Sequence, residues 1–167
     1  MDGAVLKILA MDLKLDALRK GIRLTFPVIG SSMLPLIRHN DMVEAEGCAS
    51  NKLIPGDLVI FRQVGDNNNI IAHRLIWKIK NESEFLFITK GDFVLGFDKA
   101  VPEGNVLGKI VKIRRRHFTI SVNSCSGIAL NLVMLLISLA GIMPAAHIFL
   151  KKVKGSFSHA RLNKVKV

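Results

Sequence analysis

Residues 70–80 read IIAHRLIWKIK, the longest stretch of period-two patterning in the chain. Successive side chains of a strand point to opposite faces, so Ile71, His73, Leu75, Trp77 and Ile79 are expected to share one inward face. Shorter β-like runs alternate with turn signals around it. Strands are predicted over 42–46, 58–62, 85–89, 106–113 and 118–122, punctuated by Pro55-Gly56-Asp57, Gly65-Asp66-Asn67 and Lys90-Gly91-Asp92. Many short strands with brief turns imply a mainly β, antiparallel fold.

Ahead of the strands the period is different. Ile8, Met11, Leu15, Leu18 and Ile22 step by three and four, the spacing of one helix face, and Gly21 is a natural stop. Ile22, Leu24, Phe26 and Val28 then alternate, and Pro27 marks that run as an edge strand or a strand end. With 167 residues the chain has the length of one domain. The expected organisation is an amphipathic helix over 1–21, a β domain over 22–122, a hydrophobic segment over 123–150 and a basic tail over 151–167.

The formal charge of +11 suits nucleic acid or an anionic membrane. Its distribution favours the membrane. Basic residues crowd into 109–116 and the tail, on either side of 126–150, which carries no formal charge with His147 neutral. There is no tyrosine and no basic motif interleaved with aromatics, so no nucleic-acid partner is expected. As one helix, 126–150 would reach roughly 37 Å, enough to cross a bilayer core. Asn131, Ser138, Gly141, Pro144 and His147 interrupt its apolar character, and a buried helix ending near Gly141 is the other reading. The first twenty residues carry Asp2, Asp12 and Asp16 and no apolar run of signal-peptide length. Membrane lipid is thus an expected partner and the cell membrane the expected location, with the side of the β domain open. Cys48 and Cys125 match no metal or redox spacing.

Candidate chemistry begins at Gly30-Ser31-Ser32-Met33-Leu34-Pro35. A serine hydroxyl is a poor nucleophile until a positioned base takes its proton. Among the histidines, His73 stands out for its place on the longest strand. A histidine on an apolar face is more often a core residue than a catalyst, so spacing alone does not decide its role.

The order of several short motifs does more. Gly30 to Pro35 is similar to the nucleophile box of the signal peptidase I and LexA-type serine peptidases. Pro55-Gly56-Asp57-Leu58-Val59-Ile60-Phe61 resembles their Pro-Gly-Asp strand start, and Ala72-His73-Arg74-Leu75 their base box. Thr89-Lys90-Gly91-Asp92 with Asp98 resembles the acidic box, and Val106-Leu107-Gly108-Lys109-Ile110 the closing strand. The five boxes occur in the family's order over about residues 22–115. The resemblance implies a signal-peptidase-like β fold and a serine endopeptidase that cleaves signal or leader peptides held in extended form, with small residues before the cleaved bond. It implies Ser32 as nucleophile and His73 as base, no cofactor or metal, and both Asp92 and Asp98 as candidates for the carboxylate that orients the histidine; Asp98 is our choice, with Asp92 shaping the loop. Histidine at the base position is closest to the archaeal and endoplasmic-reticulum branch; bacterial and LexA-type members carry lysine there. If the base were a lysine after all, Lys90 would be the candidate.

This chain departs from the pattern at two positions of the first box. Gly30 stands where many signal peptidases have a serine that helps hold the oxyanion, which shifts that duty to backbone N–H groups. Asn40 replaces a glycine before Asp41, and asparagine is the next best residue for a positive φ. A self-cleaving LexA-like regulator is the alternative, but it would need a DNA-binding unit, for which the 21 residues ahead of the core are too few. A non-catalytic membrane-docking β module is a further alternative, and it leaves Ser32, His73 and the aspartates without a purpose.

Overall fold

The computed structural model describes residues 9, 13–63, 69–81 and 83–141. Eight strands lie in one antiparallel sheet among the described residues: β1 (Leu24–Pro27), β2 (Met42–Glu46), β3 (Leu58–Arg62), β4 (Ile70–Lys80), β5 (Phe85–Lys90), β6 (Val101–Pro102), β7 (Val106–Arg115) and β8 (Phe118–Ser121). Their order is β1-β2-β7-β3-β4-β5-β6, with β8 paired to β7, and the sheet curls into a half-barrel. A short helix α1 over 13–19 precedes it and α2 (Cys125–Leu139) follows. The mainly β expectation holds. The two-residue strand β6 was not expected, because two residues carry no period.

Strand β3 sits at the centre with both faces covered. Leu58 and Ile60 join one core cluster, with Leu15, Leu18, Ile37, Val43, Ile110 and Ile113; Val59 and Phe61 join the other, with Leu53, Leu75, Phe87 and Val101. Each fully buried aliphatic or aromatic side chain contributes about 1.5–3 kcal/mol. Helix α1 supplies Leu15 and Leu18 to the first cluster. Its end is a paired cap, with Gly21 N–H donating to Leu18 C=O and Ile22 N–H to Ala17 C=O while Gly21 takes φ 85°. Ile8 and Met11 of the expected helix face lie outside the described residues. Ile22 is exposed, and the strand starts two residues later, at Leu24.

The predicted face of β4 needs one correction. Ile71, His73 and Leu75 lie towards the second cluster, but Trp77 and Ile79 are exposed. The register with β5 slips between Leu75 and Trp77, a β-bulge that puts Ile76 inside instead.

The turn between β1 and β2, which carries the serines, is fastened from behind by Asp41. Its buried carboxylate accepts from Arg38 N–H at 2.8 Å and from Arg115 at 2.9 and 2.6 Å, and Asn40 turns at φ 68° beside it. The Arg115 guanidinium holds the Asp41 carboxyl below the usual aspartate range, with the Arg38 N–H adding to the effect. A depressed folded value stabilises the fold fully above the unfolded value of about 3.9, and that contribution is lost as pH falls through the folded value. Urea unfolding followed from pH 6 down to 2 should therefore show a loss of stability below about pH 4, smaller in Arg115→Gln than in wild type.

Candidate active site

Three elements bring the site together. The turn after β1 presents Ser32, β4 presents His73, and the loop between β5 and β6 presents Asp98. Ser32 Oγ lies 2.9 Å from His73 Nε2, and His73 Nδ1 lies 2.7 Å from Asp98 Oδ2. Thr89 Oγ1 donates to the same Asp98 oxygen at 2.7 Å. A carboxylate only accepts, so Nδ1 carries the proton towards Asp98 and leaves Nε2 free to accept from Ser32. The imidazole side chain is 10% exposed and packs edge-on to Phe61. That shields the contact from water on one side and leaves the serine open on the other.

Asp92 is elsewhere. Wholly buried, it takes two hydrogen bonds from Arg74, at 2.8 and 2.7 Å, instead of bonding His73. Arg74 has no exposed side-chain surface and also donates to Gly56 C=O and to Asn131 Oδ1 of α2. Lys90 points away from the serine as well. Its Nζ donates to Ser138 C=O and Oγ on α2 and to Gly91 C=O. Burial pushes the Lys90 ammonium below the usual lysine range, against the pull of the Asp92 and Asp98 carboxylates. The two neighbours of the His73 and Gly91 segments are thus buried cations held by one helix.

Gly91 is where the loop comes closest to the serine turn. Phe93 N–H donates to Ser32 C=O at 2.7 Å. A Cβ on Gly91 would stand 2.8 Å from Ser32 O, 3.0 Å from Val94 Cγ2 and 3.1 Å from His73 Nε2. Something would have to shift, and the nearest atom is the backbone of Ser32. Gly91→Ala is therefore expected to spread Ser32 from His73 and lower any turnover about a hundredfold, the order of loss from a misplacement near 1 Å. Steady-state kinetics beside circular dichroism would separate that from unfolding.

Beside Ser32 and His73 opens a cavity of about 230 Å³, with Phe26, Val28, Met33, Ile60, Ile70 and Ala72 among its walls. Its rim is β1, an edge strand as Pro27 indicated. Val28 N–H and C=O are bonded to Asp41 and Asn40, so by strand alternation the backbone groups of Pro27 and Ile29 turn to the open edge. Ser32 N–H donates to no acceptor among the described residues. Gly30 has φ 108°, and its N–H donates to His39 Nδ1 at 3.2 Å. Cys48 does not compete as a nucleophile, since burial pushes its thiol up.

Sequence reasoning placed Arg74 and Lys90 in the motif boxes but not as buried cations, and it missed Asn131 and Ser138 as their partners on α2. The available signal was the seven-residue spacing of Asn131 and Ser138, which places two polar side chains on one face of a helix. No protein-family model matches the chain, and no curated protein matches its sequence significantly.

Proposed function

We propose that the protein is a serine endopeptidase of the signal-peptidase type, with Ser32 as nucleophile, His73 as general base and Asp98 as the carboxylate that orients it. The observation that carries the reading is the unbroken chain from Ser32 Oγ through both His73 nitrogens to Asp98, at 2.9 and 2.7 Å, beside an apolar cavity. Nε2 takes the hydroxyl proton as Oγ attacks the scissile carbonyl carbon, and then hands it to the leaving amine. Water attacks the acyl-serine in the second half, again giving its proton to Nε2, and the carboxylate product leaves with Oγ reprotonated. Asp98 keeps the proton on Nδ1 and stabilises the imidazolium that forms each time. The free Ser32 N–H is positioned on the nucleophile itself to donate to the oxyanion, which suits a chain with Gly30 in place of a hydroxyl donor.

The substrate fits as an added strand. An extended peptide on the open edge of β1 would bond Pro27 C=O and the Ile29 backbone, and place alternate apolar side chains in the cavity. The five motif boxes support the same reading. The Pro-Gly-Asp box leads into β3, which pairs with β4 at His73, and the Gly91 turn meets both Ser32 and His73. The test is co-expression of wild type and Ser32→Ala with a panel of exported precursors, mature N-termini being mapped by mass spectrometry. New N-termini in the wild type alone support the reading; identical maps sink it.

A further inference from the structure

Helix α2 has its polarity reversed. A helix packed on a soluble domain turns apolar residues inward and polar ones to water. Here the buried positions include Asn131 and Ser138, bonded to Arg74 and Lys90, while Ile128, Leu132, Val133, Leu136 and Leu139 are exposed. No residue of α2 is charged. The apolar surface continues past the helix. Exposed Ile54 shares a cavity with Ile128 and Leu132, and a Cβ on Gly141 would lie 3.7 Å from exposed Leu95. Leu95 belongs to the loop between Gly91 and Asp98, so the patch reaches the loop that carries the carboxylate of the site.

We propose that this face binds an anionic lipid bilayer, with α2 lying in the plane of the membrane and Ile54, Leu132, Leu136 and Leu95 entering the acyl region. Three observations favour lipid over a protein partner or a second copy. α2 offers no charge with which to specify a protein surface, and the charges at the edge of its cavity, Asp57 and Lys109, are paired with each other at 3.3 Å. No Asp or Glu follows Glu103 in the sequence, whereas Lys151, Lys152, Lys154, Arg161, Lys164 and Lys166 do, the charge balance that draws a chain to anionic headgroups. The polar side of α2 is taken up by Arg74 and Lys90, so its apolar side, followed in the sequence by cations, offers a bilayer apolar burial and headgroup attraction together. The orientation follows from length and from the clamps. α2 has 15 residues, roughly 22 Å at 1.5 Å each, against a hydrocarbon core of about 30 Å. Among the described residues no helix is long and apolar enough to cross a membrane. The expected helix over 126–150 ends instead at Leu139, where Ala140 caps it and Gly141 turns to φ 63°; 142–150 lie outside the described residues. With Asn131 and Ser138 bound into the domain, one side of α2 is committed to protein, and the other side lies along the surface.

The surface is defined without the chemistry of Ser32, so it stands apart from the peptidase reading, which Ser32→Ala tests. Full-length protein is to be floated with phosphatidylglycerol–phosphatidylcholine vesicles and with phosphatidylcholine alone. Wild type should float with the anionic vesicles and resist washing at about 1 M salt, where headgroup attraction is screened. Leu132→Gln/Leu136→Gln, at two exposed positions, should lower binding at least about tenfold. Complete release of wild type by salt, or unchanged binding of the paired variant, overturns the proposal. A dimer in sedimentation that the paired variant disperses overturns it too, because a second copy then covers the face. Depth is read with Leu132→Trp, Leu136→Trp and Leu139→Trp, singly in a Trp77→Phe background, against brominated lipid. Equal quenching is the in-plane result, and a steady gradient along the helix is the contrary one.

Discussion

Ser32→Ala and His73→Ala should each lower peptide cleavage by about four to six orders of magnitude, and the double variant should be little worse than either. The groups act as one unit: without Nε2 the hydroxyl keeps its proton, and without the hydroxyl the base has nothing to activate. Ser32 is one hydroxyl on a turn, so the variant should unfold within about 1 kcal/mol of wild type. Asp98→Asn retains the shape but can present an N–H to Nδ1, which favours the wrong tautomer, and a loss of about 10⁴-fold in kcat is expected. Single-turnover kinetics on a precursor identified by co-expression would check the series. Full activity in Ser32→Ala with loss in Ser31→Ala would move the nucleophile one residue back.

The second large effect concerns stability. Arg74 and Asp92 have no exposed side-chain surface and bond each other at 2.8 and 2.7 Å. Removing one partner of such a pair leaves the other charge buried without its counterion, which costs about 3–5 kcal/mol. Total stability of a domain is about 5–15 kcal/mol, so Arg74→Met should take away a large share of it. Arg74→Met/Asp92→Leu should recover much of the loss, because two apolar groups need no counter-charge. Urea denaturation of wild type and the two variants would measure this. A cost below about 1 kcal/mol for Arg74→Met would mean that water reaches Asp92.

The contrast between the two aspartates shows where the sequence stops being readable. Both lie in one short box, and nothing in their spacing separates the one that meets His73 from the one that meets Arg74. What separates them is the burial of Arg74, and arginine is a residue whose ordinary place is the surface. Strands were legible as short β-rich runs bounded by turn residues, and β2, β3 and β4 begin and end where those runs do, although β3 is covered on both faces and does not alternate. The bulge at Leu75–Trp77 was not, since an extra residue leaves no mark in composition. α2 was legible as apolar but not as inverted. Asn131 and Ser138 looked like flaws in a membrane segment, and they are its attachment to Arg74 and Lys90.

The bulge in β4 also divides the strand into two halves with different neighbours. On the near side, Leu75 is tied by its N–H to Asp57 C=O and by its C=O to Gly56 N–H, and His73 pairs with Val59. On the far side, beyond the slip, the strand pairing of Trp77 to Lys80 among the described residues is with β5 alone. At the hairpin tip Asn81 N–H donates to Glu84 C=O at 2.9 Å, beyond the slip from His73, so changes of length there are expected to leave the Ser32–His73 contact in place. The tip is accordingly the place to graft an epitope, a fluorophore or a purification handle, and the place where descendants of this sequence can gain or lose residues at little cost.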